Sequence, residues 1–137
     1  MSYLIFISHS SEDTWVAKKL SQECEVAGAK TFLDEAKIAV GANIDDSILK
    51  ALRSADELVV LITPWALVRS YIWLEIGAAW FKGIPIIILL HGVSPAKFQG
   101  KSNVPMNLKQ KNFLALNKVD QYIQELSERV NGNGGTL

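Results

Sequence analysis

The sequence predicts an α/β protein: a flavodoxin-like open parallel sheet of five strands, in the order 2-1-3-4-5, with helices on both faces. Three observations carry that reading. Apolar runs such as "YLIFIS", "ELVVLIT" and "IPIIILL" are continuous rather than alternating, as in strands covered on both sides. Stretches with apolar residues at helical spacing stand between them. The two kinds of segment alternate about five times, and right-handed crossovers leave such a chain very few topologies.

Each element has its own signal. Tyr3 to Ser8 reads as the first strand. "SEDTWVAKKLSQECEVAG" follows as a helix, with Val16, Leu20 and Cys24 on one stripe and Gly28 as its stop. "AKTFLD" is a short second strand. "DSILKALRSA" is a helix with Ile48, Leu49 and Leu52 inward and Asp46 as its cap. "ELVVLIT" is the third strand, ended by Pro64, and the segment from Ser70 to Phe81 is the next helix. "IPIIILL" makes the fourth strand, with Pro85 tolerated at its start. "NFLALN" is a shorter fifth strand. "VDQYIQELSERV" closes the domain as a helix striped by Val119, Ile123, Leu126 and Val130. Residues 1–131 read as a single domain and 132–137 as a flexible tail with little to bury.

Composition narrows the function. With 137 residues, 49% of them hydrophobic, the chain can bury a sizeable core. Fourteen basic residues balance fourteen acidic ones, which argues against nucleic acid or a membrane surface as the main partner. A single cysteine, Cys24, permits no internal disulfide and fits a reducing, cytoplasmic setting. The N-terminus lacks the basic region of a signal peptide, and "IPIIILL" is far shorter than the roughly 20 residues of a membrane span.

In the 2-1-3-4-5 order, ligands bind at the carboxyl ends of strands one and three. The walls of that crevice are "SHSSED" and "TPWALVRS". Close behind the second lies "SYIWLEIGAAWF", in which one carboxylate, Glu75, stands among apolar and small residues. Two readings are open. A glutamate early in a helix gains roughly 0.3–1 kcal/mol from the helix dipole. Alternatively, a carboxylate in a partly apolar pocket pairs with a cationic substrate. Tyr71, one turn earlier, supplies an aromatic plane, and Ala78 and Ala79 leave room.

Several chemistries are not supported. No Cys/His cluster of zinc spacing, P-loop or G-x-G-x-x-G is present. Glu12 and Asp13 resemble a magnesium-binding pair of receiver domains, but strand three ends in "LIT" without an acceptor aspartate. "SHSSED" has hydroxyls but no spacing that defines a triad. His9 and His91 follow strands one and four and read as loop histidines; Cys24 reads as packing.

Taken together, three motifs resemble a TIR (Toll/interleukin-1 receptor) domain, most like the small bacterial members. They are "FISHSSED", "FLDEAKIAVGANI" with Asp34 and Gly41, and "SYIWLEIGAAW", and the likeness runs from Tyr3 to about Val130. The resemblance implies that Glu75 is the catalytic glutamate of the NAD-cleaving branch, lying near the nicotinamide ribose. It implies NAD+ as substrate rather than cofactor, with His9, Ser10, Ser11, Asp34, Lys37, Ser70 and Tyr71 as binding residues and no metal. Enzymatic members often carry tryptophan four residues before the glutamate, where this chain has Tyr71, with Trp73 two before. Where some have tyrosine and arginines after "FIS", this chain has His9, Ser10 and Ser11.

The resemblance further implies a role in anti-phage defence and self-association, or a partner protein, through the Asp34 to Ile44 loop. Two alternatives stand beside the enzyme: a non-catalytic TIR–TIR scaffold, and a nucleoside deoxyribosyltransferase-like enzyme with the same sheet and a glutamate nucleophile.

Overall fold

Along the third strand, five consecutive apolar residues from Leu58 to Ile62 have no solvent exposure. Only a strand covered on both faces can bury such a run, and each side chain contributes about 1.5–3 kcal/mol. In the computed structural model, which describes residues 2–34, 46–100 and 113–135, this strand is the centre of the sheet. Five strands, β1 (Leu4–Ser8), β2 (Lys30–Asp34), β3 (Glu57–Ile62), β4 (Ile86–Leu90) and β5 (Phe113–Ala115), form one sheet in the order β2-β1-β3-β4-β5. All neighbouring pairs are parallel. Fold class and strand order agree with the sequence reading.

The helices are α1 (Thr14–Val26), α2 (Asp46–Ser54), α3 (Pro64–Leu67), α4 (Ser70–Lys82), α5 (Pro95–Gln99) and α6 (Val119–Gly135). Alternation along the strands divides the core in two. Phe6, Leu58, Val60, Ile62 and Ile88 pack with Ala51, Ile72, Ile76 and Phe98, which belong to α2, α4 and α5. Ile5, Ile7, Val59, Leu61 and Leu89 pack with Ala17, Leu20, Cys24, Tyr122 and Leu126 from α1 and α6. Cys24 is part of this second layer, and burial, then the nearby Glu57 charge, push its thiol up to about 12.

Two short helices were not expected. Thr63 caps α3 by accepting from the Ala66 N–H at 3.2 Å, and Ser94 caps α5 by accepting from the Lys97 N–H at 3.0 Å. Each cap is followed by proline, which suits the first helical position. Helices of four and five residues carry no periodic stripe, so the apolar pattern does not reveal them. At the other end of the chain, α6 continues to Gly135, beyond the boundary at 131 set for the tail. Gly83 ends α4 in the left-handed region (φ 82°), and its N–H closes on the Ala79 carbonyl at 3.0 Å.

One polar cluster lies at the amino end of the sheet. Glu57, fully buried at the start of β3, accepts from Arg129 Nε and Nη2, each at 3.1 Å, and from the Tyr3 hydroxyl at 2.8 Å. The Tyr122 hydroxyl also donates to it. Burial and the Glu57 charge push the Tyr3 phenol up to about 12. Burial works against the Arg129 charge, but Glu57 beside it more than offsets that, and the guanidinium pKa rises. The cluster thereby fixes α6 to the central strand. Arg129→Ala leaves a buried carboxylate without this cation, and the expected loss is about 3 kcal/mol or more, read as a lower urea midpoint. An unchanged midpoint would show that the tyrosines alone satisfy Glu57.

Candidate functional site

β1 delivers its last residue, Ser8, to the carboxyl edge of the sheet, level with Asp34 of β2 and Val60 of β3. This is the switch point, because α1 leaves β1 for one face while α3 and α4 leave β3 for the other. Ser8, His9 and Ser10 are all buried. The hydroxyl of Ser8 donates to Oε1 of Glu75, across 67 residues of sequence.

Glu75 is in the second turn of α4 and is 1% exposed. The reading as a helix-end charge therefore does not describe it, since the dipole effect fades within the first turn. It is a buried carboxyl group that accepts from the hydroxyl at the end of β1. Such a group is costly to enclose unless it is hydrogen-bonded, and it favours a positive charge placed beside it.

Two contacts join the walls of the crevice. The turn Ser11–Asp13 is 3-10 helical, and Ser10 caps it by accepting from the Glu12 N–H at 3.2 Å. Buried Asp13 then accepts from the Thr63 hydroxyl at 2.7 Å, tying this turn to the cap of α3. Closer to solvent, Arg69 Nη2 meets both Glu12 oxygens at 3.2 and 3.1 Å. The Glu12 carboxyl sits below its ordinary range because the Ser10 hydroxyl and its own backbone N–H donate to it, with Arg69 adding to the effect.

The proposed site residues fall into three groups. Glu75, His9, Ser10 and Tyr71 are buried, and Tyr71 lies one turn before Glu75 on α4. Ser11 begins the 3-10 turn, Asp34 ends β2 opposite Ser8, and Ser70 opens α4. Lys37 and the rest of the segment 35–45, Gly41 included, lie outside the described residues. Trp73 stacks on Phe98 with centroids 4.8 Å apart, so it belongs to the packing between α4 and α5. Tyr71 is thus the aromatic residue placed beside Glu75 in helical register.

Sequence reasoning missed Ser8 as the partner of Glu75, together with the Thr63–Asp13 and Arg69–Glu12 links. Each joins residues at least 50 apart, and no spacing rule reaches that far. A cavity of about 340 Å³ lies elsewhere, between the ends of β4 and β5, lined by His91, Val93, Phe113 and Asn117 among others. Among the described residues no carboxylate lines it, and Glu75 is not part of its wall. Among the described residues there is no group of three or more potential metal ligands, and no helix is long and apolar enough to cross a membrane.

Comparison with known proteins gives one family. The model of the TIR domain family matches residues 5–128. Among solved structures, the TIR domains in the activated Roq1 resistosome recognising the effector XopQ match with a TM-score of 0.56 and 21% identity. That match covers 95% of this chain and 84% of the other, and at such identity it speaks for the fold. No curated protein matches.

The crevice links differ in burial, and that orders their effects. Thr63→Val removes the donor to buried Asp13 and the α3 cap, with an expected loss of about 1–3 kcal/mol. Arg69→Ala breaks a pair whose side chains are 44% and 39% exposed and should lose under about 1 kcal/mol. Denaturant unfolding of both variants measures this, and the reverse order would contradict it.

Proposed function

The chain belongs to the TIR domain family, and from that premise we propose that it cleaves the nicotinamide–ribose bond of NAD+, with Glu75 as the catalytic carboxylate. The observation that carries this reading is the position of Glu75. It is a buried carboxyl group at the switch point, oriented by the Ser8 hydroxyl, where open α/β sheets take their ligands.

The reaction needs little more than one carboxylate. Nicotinamide in NAD+ is already cationic, so the C1′–N bond can break with both electrons leaving on nitrogen, giving a neutral pyridine without a strong general acid. Positive charge then develops on the ribose as an oxocarbenium-like state. A carboxylate fixed in a low-dielectric pocket stabilises that charge more than water does. Addition of water at C1′, with loss of its proton, gives ADP-ribose. Attack by an adenine nitrogen instead gives a cyclic product.

Tyr71 is proposed to stand against the pyridine, and His9, Ser10 and Ser11 to line the path of the ribose and phosphates. Asp34, Lys37 and Ser70 complete the proposed binding set, and the Asp34 to Ile44 loop is proposed to mediate self-association or partner binding. NAD+ enters as substrate, with no cofactor required. The proposed setting is cytoplasmic signalling in bacterial defence.

One observation favours a second reading, a non-catalytic TIR–TIR scaffold. Glu75 is only 1% exposed, so a substrate reaches it only when its surroundings move. Nicotinamide release from NAD+ by concentrated protein distinguishes the two. The enzyme reading expects release by the wild type and a drop of at least about 100-fold in Glu75→Gln, with both proteins folded. Equal rates in the two would remove Glu75 from the chemistry. No release by either, even under crowding, would support the scaffold.

A further inference from the structure

At the rim of the crevice, donors from both walls converge on a single oxygen atom. Oε1 of Glu12 accepts from the Ser10 hydroxyl at 2.5 Å and from Arg69 Nη2 at 3.2 Å, with the Ser11 hydroxyl at 3.5 Å. Ser10 is buried, and its oxygen accepts from the Glu12 N–H at 3.2 Å, which leaves its proton for the carboxylate. Hydroxyls and a guanidinium around one negative oxygen make an anion site. Here the chain supplies the anion itself, and the Ser10 hydroxyl, with Arg69 adding to it, favours the charged form of Glu12.

That internal anion is held loosely. The side chains of Arg69 and Glu12 are 44% and 39% exposed. Both contacts of the pair come from one nitrogen, Nη2, rather than from the parallel fork that makes arginine–carboxylate pairs strong. An exposed pair of this kind adds little stability, so a competing anion displaces it at little cost. A planar guanidinium with several N–H donors matches phosphate as well as it matches carboxylate.

The site also stands in line with Glu75. Ser8, which donates to Glu75, lies two residues before Ser10, and Arg69 lies six before Glu75. Six residues of α-helix rise about 9 Å, the scale of a ribose with its phosphate. A dinucleotide whose nicotinamide ribose lies at Glu75 would therefore carry its pyrophosphate toward Arg69.

We propose that Arg69, with Ser10 and Ser11, binds the pyrophosphate of the dinucleotide, and that Glu12 is an internal surrogate occupying this anion site until substrate displaces it. The dinucleotide as ligand rests on the NAD+ reading above; the anion site does not. On binding, Arg69 exchanges one anion for another and Glu12 turns toward solvent. The apparent affinity is reduced by the fraction of molecules in which Glu12 holds the site. Glu12 thereby sets substrate affinity without touching the reacting atoms.

The two members of one ion pair must then act in opposite directions, whereas a pair that merely braces the wall would give both variants the same sign. Calorimetric titration with inorganic pyrophosphate tests this on the wild type, Arg69→Ala and Glu12→Gln, with circular dichroism checking the fold. Arg69→Ala is expected to bind on the order of tenfold more weakly than the wild type, and Glu12→Gln several-fold more tightly. Arg69→Lys, which keeps the charge, should recover part of the loss. With NAD+, the same shifts should appear in KM while kcat stays nearly constant, as for an interaction made equally in ground and transition states. No pyrophosphate binding by Glu12→Gln, or shifts of the same sign in both variants, would overturn the proposal. Nicotinamide release with KM unmoved in either variant would overturn it too, while leaving the enzyme reading in place. The expected pyrophosphate order without nicotinamide release by any of the proteins would support the anion site and count against NAD+ cleavage.

Discussion

The hydrogen bond from Ser8 to Glu75 joins the end of β1 to α4, the helix between β3 and β4. Much of the local structure can be derived from it. β1 must end where its last side chain points into the crevice, and α4 must present its second turn to that point. The chain meets both needs with continuous apolar strands that leave no freedom of register. A shift of one residue would exchange the two faces of the sheet and carry Ser8 away from α4.

Two buried glutamates show how position in the sheet decides what a carboxyl group does. Glu57, at the amino end, is met by a guanidinium and two phenols, and the outcome is an anchor for α6. Glu75, at the carboxyl end, is met by a serine hydroxyl on the side where parallel sheets take ligands. The first arrangement neutralises the charge within the chain. The second fixes the direction of a carboxyl group through a hydroxyl delivered by β1. The Thr63–Asp13 and Arg69–Glu12 links then hold the two loops above it together, one buried and one exposed.

Much of this was legible in the sequence, for identifiable reasons. The strands were readable because burial on both faces demands unbroken runs such as "LVVLI". Glu75 stood out because no other acid interrupts the apolar helix around it. The short helices α3 and α5 escaped because one turn has no period, although Thr63-Pro64 and Ser94-Pro95 carry the cap signature. Tyr122 was passed over in favour of its neighbour Ile123, yet it is the more buried of the two. Its hydroxyl is usable in the core only because Glu57 arrives there from 65 residues away. Contacts of that kind are set by the sheet as a whole, and no local pattern encodes them.

The central claim is that NAD+ occupies the crevice at the ends of β1 and β3, beside Glu75. Amide hydrogen exchange of the Glu75→Gln protein with and without NAD+ tests it most directly, because that variant keeps the shape of the site while leaving the dinucleotide intact. The account predicts slower exchange with NAD+ across Ser8 to Asp13 and Thr63 to Ile76. Unchanged exchange there, or protection confined to the His91 cavity between β4 and β5, would contradict it.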